Sequence, residues 1–368
     1  MEMLYQMAFA AMPGMGVDIA KQLLDIIGDE KQFFLMKEGE LAQLLGPTNR
    51  WCSKTTRDKI LRKAQKELDF IADKKITPIY YTSPQFPKRL LEANDAPIIL
   101  YTTGDCDLNA KRVVSMVGTR NATPAGIKFC DNFVKDLSAL IPNVLIVSGL
   151  AYGIDIASHR AAINHGAPTV AVMARGLNHI YPAVHRRDAV NIVNHGGALV
   201  TDYMSQDELH KGNFLARNRI IAALADVTIV VESASHGGSL VTASIAMGYN
   251  RDVMAVPGRV TDEMSKGCNK LIAANRAALL SNAQQLIDTM MWEVEAQPTM
   301  PRQLNLFDEL NDTEREVVNV LRQSAEPVYA NDIARVLQRP AYLVTSTLVE
   351  LDFKGIIVTL PGSRYQLA

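Results

Sequence analysis

Three short turns in the middle of the chain carry residues suited to holding an anion. Gly118-Thr119-Arg120 follows an apolar run, and its amides, hydroxyl and guanidinium are all phosphate donors. Ser148-Gly149 closes a second run. Gly237-Gly238-Ser239 follows another at the expected start of a helix, where the dipole and free amides favour negative charge. Each turn alone also fits a plain strand-to-helix bend; together on one sheet edge they describe a groove for phosphates. A second cluster runs from His210 to Arg219. There Lys211, Arg217 and Arg219 flank the solitary aromatic Phe214, with Asn213 beside it. Cations that neutralise phosphate, next to a ring that can stack on a base, are the ingredients of single-strand binding. The alternative is that Phe214 belongs to the core and Arg219 pairs with a sheet carboxylate such as Glu232. Arg217 and Arg219 lie two residues apart on a helix, so they cannot face the same way, and one of them is expected to be structural. His159 follows Asp155 by four. It is either a base oriented by a carboxylate or a polar residue fixing its helix, with Asp155 as a cap.

Other chemistries lack their residues. The first turn has no G-x-G-x-x-G, and no P-loop occurs, so dinucleotide and P-loop nucleotide sites are poorly supported. No H-E-x-x-H, G-x-S-x-G or C-x-x-C is present, which argues against metal hydrolysis and acyl transfer. No metal, no cofactor and no catalytic group are expected. The net charge of -1 gives no bulk support to nucleic-acid binding, so the case rests on a local patch. All seven histidines fall between His159 and His236, among Arg160, Arg175, Arg186, Arg187, Lys211, Arg217 and Arg219. Four scattered cysteines read as thiols in a reducing compartment. With no basic-then-apolar leader and no long uncharged apolar stretch, a cytoplasmic protein without a membrane span is expected.

The elements that must position these residues are legible as a pattern. Val113–Val117, Val144–Val147, Thr169–Met173, Ala198–Thr201, Val227–Val231 and Val253–Val256 are short β-branched runs, each followed by a turn and a helical period. That alternation predicts an α/β fold: a mostly parallel sheet with helices on both faces, over residues 80–290. Thr123-Pro124 reads as a helix start. Residues 1–75 read as a helical domain, 291–310 as a linker and 311–368 as three helices with a terminal hairpin, a winged helix.

The ordered series V-G-T-R-x-x-T-P-x-G (117–126), S-G-L-A-Y-G-I-D-I-A-S-H-R (148–160), G-L-N-H-I-Y-P (176–182), F-L-A-R-N-R-I-I-A-A-L (214–224), G-G-S-L-V-T-A (237–243), V-P-G-R (256–259) and K-G-C-N-K-L-I (266–272) resembles the DNA-processing protein A (DprA/Smf) family. The resemblance implies an extended Rossmann-like domain, binding of single-stranded DNA, loading of the RecA recombinase during natural transformation, a homodimer and no catalytic turnover. Carried over by position, Gly118, Thr119, Arg120, Lys211, Asn213 and Phe214 are DNA-contact candidates, with Arg217 and Arg219 matching the motif as well. Tyr152 stands where the family usually has arginine, so a ring that could stack replaces a cation.

Three peripheral readings complete the picture. Pro13-Gly14-Met15-Gly16 resembles a helix-hairpin-helix turn, and Gly46-Pro47 marks a possible second one; both are also compatible with plain loops. The winged helix, with Arg335, Arg339 and Lys354, is only mildly basic and suits DNA contact, protein interaction or packing. Gln303, Leu304, Leu306 and Phe307 resemble the peptide that docks on the bacterial sliding clamp; packing on the winged helix is the alternative. Two alternatives to strand binding remain. One is a nucleotide phosphoribohydrolase of the lysine-decarboxylase-like (LOG) family, although no glutamate follows the Gly237 turn. The other is a small-nucleotide sensor.

Overall fold

Five helices open the chain: α1 (Glu2–Ala10), α2 (Val17–Ile27), α3 (Glu30–Leu35), α4 (Glu38–Leu45) and α5 (Lys54–Lys74). In the computed structural model, which describes residues 2–294, 310–324, 326–360 and 362–367, these helices do not close a core of their own. Met7, Phe9, Phe33 and Leu41 belong to the same buried cluster as Ile79, Leu100 and Tyr101 of the first strands. Met1–Glu295 accordingly form one compact unit, and Ala296–Ala368 a second. The helical unit is pinned by a buried cation. Arg57 Nη1 donates to the carbonyls of Phe33 and Phe34 at 2.9 Å each, and Nη2 to Met36 at 2.9 Å and Cys52 at 3.3 Å. The Pro13–Gly16 turn joins α1 to α2, and its Pro13 carbonyl accepts from Arg50 (3.1 Å) and Trp51 (3.0 Å).

The rest of this unit alternates strand and helix: β1 (Thr77–Tyr80), α6 (Lys88–Leu91), β2 (Ile99–Gly104), β3 (Val113–Val117), α7 (Pro124–Leu140), β4 (Leu145–Ser148), α8 (Ile154–Asn164), β5 (Thr169–Val172), α9 (Arg186–Asn194), β6 (Ala198–Thr201), α10 (Lys211–Leu224), β7 (Val227–Val230), α11 (Gly238–Gly248), β8 (Asp252–Ala255), α12 (Lys266–Ala273), β9 (Ala278–Leu279) and α13 (Ala283–Thr289). The sheet has nine strands in the order β1-β2-β6-β5-β4-β3-β7-β8-β9. It is parallel from β6 to β9, with β1 and β2 antiparallel at one edge. Along β3 the pleat sends Val114 and Met116 to a core with Phe133, Val134 and Leu137 of α7, while Val113 and Val117 face the core shared with α10 and α11. Strands covered this way on both sides need apolar residues at every position, which explains their uninterrupted runs. The polar exceptions satisfy each other: the Ser115 hydroxyl donates to Thr228 Oγ1 at 2.8 Å. β1, β2 and β9 depart from that apolar pattern: β1 contains Pro78, β2 ends in Thr102-Thr103-Gly104 and β9 is two residues long.

The second unit holds α14 (Asp312–Gln323), β10 (Val328–Tyr329), α15 (Ala330–Leu337), α16 (Ala341–Phe353), β11 (Ile357–Leu360) and β12 (Arg364–Leu367), around Val317, Ile333, Leu348 and Tyr365. A capping box between Asn311 and Glu314 starts α14. The three cations noted in the sequence all have acidic partners here: Arg335 with Asp332, Arg339 with Glu316 and Lys354 with Glu314. Exposed Tyr342, Val349 and Phe353 instead mark α16. The clamp-like residues Gln303, Leu304, Leu306 and Phe307 lie outside the described residues. Among the described residues no helix is long and apolar enough to cross a membrane.

Arg57→Lys keeps the charge but loses the planar fork that reaches four carbonyls. It is expected to cost about 3 kcal/mol of unfolding free energy, read as a lower urea midpoint with unchanged slope.

Candidate nucleic-acid interface

The chain leaves β3 toward β4 on one side of the sheet and later returns to β7 on the other. Open α/β sheets bind their ligands outside the strand ends at such a reversal. A cavity of about 280 Å³ lies there. Gly118, Thr119 and Arg120 line it after β3, Phe214 and Arg217 line it from α10, and His236 to Ser239 line it at the start of α11. Arg120 is exposed, and its guanidinium sits 5.5 Å from the centre of the Phe214 ring. The start of α11 has Gly237 as N-cap with no side chain bonded to the first-turn amides. A Cβ on Gly238 would meet nothing within 4 Å. Open amides at a helix start and a free guanidinium are two anion donors facing one space.

A smaller hollow adjoins this cavity across Arg120 and Phe214, lined also by Tyr152, Arg175, Tyr181 and Gly149. The Phe214 ring packs 5.4 Å from that of Tyr181, and Tyr152 packs 5.1 Å from the ring of His185. Tyr152 and Tyr181 remain 49% and 44% exposed, so both keep a ring surface available for stacking. Lys211 is exposed on the first turn of α10, the turn that also carries Phe214. Arg175, Tyr181 and His236 were missed as site residues. Arg175 and His236 follow β5 and β7 closely, and position after a strand is the signal that could have found them.

Several candidates are committed to partners within the fold. Ser148 is fully buried, and its hydroxyl donates to the Met116 carbonyl at 2.6 Å, because the last strand residue points into the sheet. Asn213 is buried and turns toward its own loop, donating to the Glu208 carbonyl at 3.2 Å. Arg219 pairs with Asp202 and donates to the Asp95 carbonyl; Glu232 is not its partner. Arg217 forms the floor of the cavity. It is buried, and its Nη1 donates to the Gly149 carbonyl at 2.7 Å and to that of Val172. Both helix arginines are therefore structural. The Ser239 hydroxyl is bonded to Ser233 at 3.0 Å. The glycine of the first turn also has a different reason. A Cβ on Gly118 would lie 2.4 Å from Ile154 Cγ1, so packing against α8 demands it. The Thr119 amide is likewise committed, to the Glu232 carbonyl at 2.8 Å.

Glu232 reaches the start of α7, and a helix start after a strand is the kind of place that holds a phosphate in dinucleotide-binding sheets. Its carboxylate accepts from the Thr123 amide at 2.9 Å and from the Thr123 hydroxyl, at the start of α7. A Cβ on Gly126 would lie 2.6 Å from Glu232 Oε2. The helix start is thus closed by an internal anion.

Burial governs the charges beneath the groove. It pushes the Asp155 carboxyl up, opposed by the positive charge of Arg217. The Asp155 carboxylate also accepts from the Ala151 amide at 3.3 Å, across the turn into α8. Burial, then the same guanidinium, hold His159 down at about 3 from an ordinary 6.5. Thr169 commits its proton to the Ile146 carbonyl, so His159 Nδ1 must donate to Thr169 Oγ1, at 2.7 Å. His159 is therefore the fixing residue rather than a base. Burial also raises the Cys130 and Cys268 thiols to about 12, which removes them as nucleophiles.

A family model described as DNA recombination-mediator protein A matches residues 77–291, and one for the DprA winged helix domain matches 303–363. The chain belongs to the DprA/Smf family. It is 37% identical over 202 residues to the DNA processing protein DprA of Streptococcus pneumoniae, covering 55% of this chain and 70% of that one. It is 31% identical over 283 residues to protein Smf of Escherichia coli, covering 77% and 75%. The solved DprA of S. pneumoniae superposes with a TM-score of 0.64 at 28% identity, over 80% of this chain and 98% of that one. A Helicobacter pylori DNA processing protein A, described for its single-stranded DNA binding mode, superposes with a TM-score of 0.53 at 27% identity, over 60% and 98%. The DprA family match spans the groove-forming elements from β3 to α11.

Two outcomes follow from the buried charges. Arg217→Ala strips Asp155 of its counter-charge and should cost about 3–5 kcal/mol of stability, visible in thermal unfolding without any ligand. His159 is neutral in the fold, so its contribution is complete above pH 6.5 and is lost as pH falls toward 3. His159→Asn keeps a donor at the Nδ1 position and cannot titrate. It should flatten the acid limb of the stability curve, on the order of 4 kcal/mol across that window.

Proposed function

We propose that this protein binds single-stranded DNA without catalytic turnover, along the carboxyl ends of its central strands, and passes the strand to the RecA recombinase. The observation that carries the reading is the Arg120 guanidinium over the Phe214 ring, at the mouth of a cavity whose opposite wall is the uncapped start of α11. A phosphate is offered a cation and free amides, and the next base is offered Phe214 and the rings of Tyr152 and Tyr181. A duplex keeps its bases stacked inward and cannot use those rings, so the arrangement favours single strands. The H. pylori relative described as a single-stranded DNA binder supports the ligand. The family's description as a recombination mediator supports the transfer to RecA. A homodimer, which the family resemblance implies, presents two grooves to one strand and gains avidity. Glu232, engaged by Thr123, is not free to act on a ribose, which supports the non-catalytic reading over a phosphoribohydrolase.

Fluorescence anisotropy with labelled oligo-dT and an equal-length duplex, at two salt concentrations, tests the groove. The single strand should be preferred, and Arg120→Ala/Lys211→Ala should lower the log–log salt slope by about 0.7 per cation. Phe214→Ala should weaken binding by about 1–3 kcal/mol with the slope unchanged. Equal binding of duplex, or a double variant that binds as wild type, sinks the reading. For the transfer step, wild type but not the double variant should raise RecA ATP hydrolysis on strands pre-coated with single-strand-binding protein.

A further inference from the structure

The loop between β6 and α10, residues 202–210, delivers Lys211 and Phe214 to the groove, yet much of what holds it comes from α5 in the N-terminal helices. Glu67 is 2% exposed. Its Oε2 accepts from the Ser205 amide at 2.8 Å and from the Ser205 hydroxyl. One turn earlier on the same helix face, Lys63 forms an ion pair with Asp207, and the Lys63 carbonyl accepts from Gln206 Nε2 at 3.2 Å. Asp207 in turn accepts from the Met204 amide at 2.7 Å. From the other side, Asn178 Nδ2 donates to the Ser205 carbonyl at 2.7 Å. A Cβ on Gly176 would lie 2.4 Å from the Met204 carbonyl oxygen, so backbone meets backbone there. Ser205 is gripped from both directions. At the far end of the loop, the bond from Asn213 to the Glu208 carbonyl ties the segment to the first turn of α10.

Burying a carboxylate is unfavourable unless its oxygens are bonded, and an apolar side chain would fill the same space on α5 without that cost. What the carboxylate adds is directional: two donors of one loop residue fix where that residue sits. The loop has no helix or strand of its own, so its path depends on such bonds. Binding groups must be held to about half an ångström by rigid neighbours to act together.

We propose that Glu67, with Lys63 one turn before it, is a positioning residue for strand binding. Through it α5 braces the 202–210 loop, so that Lys211 and Phe214 stand in register with Arg120 and the α11 amides. The proposal rests on the groove being the DNA site.

The test uses the full chain and measures Kd for labelled oligo-dT, its salt slope and the unfolding temperature, for Glu67→Ala, Glu67→Gln and Lys211→Ala. Glu67→Ala, assayed well below its unfolding temperature, should weaken binding roughly tenfold and lower the salt slope by about 0.7, as the loss of one phosphate cation does. Glu67→Gln, whose amide oxygen still accepts from Ser205, should restore both. In a Lys211→Ala background, Glu67→Ala should leave the slope where it is. A Glu67→Ala protein that melts earlier but binds with wild-type Kd and slope overturns the proposal and leaves Glu67 a residue of the fold alone. Should Glu67→Ala fail to fold, Ser205→Ala removes one of the two bonds and is judged on the same two readings. Lys211→Ala binding like wild type overturns the groove reading instead, so the two failures are distinct.

Discussion

Where parallel strands end, backbone carbonyls beyond the last ladder bond lose their partner on the neighbouring strand, and a groove built there must replace it. In this protein the buried guanidinium of Arg217 meets two of them, from Gly149 after β4 and Val172 at the end of β5. The rest of the groove follows from that placement. Gly149 can carry no side chain, since a Cβ would lie 2.5 Å from Arg217 Nη1. Asp155 supplies the opposing charge at the start of α8, and His159 behind it must stay neutral. Arg120, a like charge nearby, is left to the surface over Phe214. A fixed inner cation thus separates the charge that holds the sheet together from the charge available to a ligand.

This arrangement explains what could be read from the sequence and what could not. The central strands were legible because burial on both faces leaves no polar alternation, and the winged helix because its caps and hairpin are local. β1 and β2 were not picked out: Thr77–Tyr80 is four residues with a proline, and it pairs only at the sheet edge. At the candidate site, residue types pointed to the strand-end turns that line the cavity but not to what each side chain is bonded to. Arg217 and Arg219 share one motif, and helical geometry correctly sets them on different faces. Only the packing of α10 on both sides shows that each has an internal partner. Ser148 and Asn213 were placed at the groove by their position after a strand or before a helix, and that position does not fix which way a side chain turns. Gly118 reads in the sequence as a glycine that lets the backbone approach a ligand, and the structure packs Ile154 against it.

The N-terminal helices are joined to the sheet through a common core and through polar contacts at the 202–210 loop. They are therefore not a detachable accessory in the way the sequence division at residue 75 suggests. The winged helix is organised differently. It has a core cluster of its own, its Arg335, Arg339 and Lys354 are paired with acids within it, and its third helix shows Tyr342, Val349 and Phe353 to solvent.

Glu232 gives the molecule a further property. A ligand tethered by its own backbone is present at an effective concentration that free metabolites do not approach. With that carboxylate seated on α7, the helix start already carries its own counter-charge. The carboxyl edge of the sheet thus holds two unlike helix starts, one at α7 neutralised from within the chain and one at α11 left without a side-chain cap.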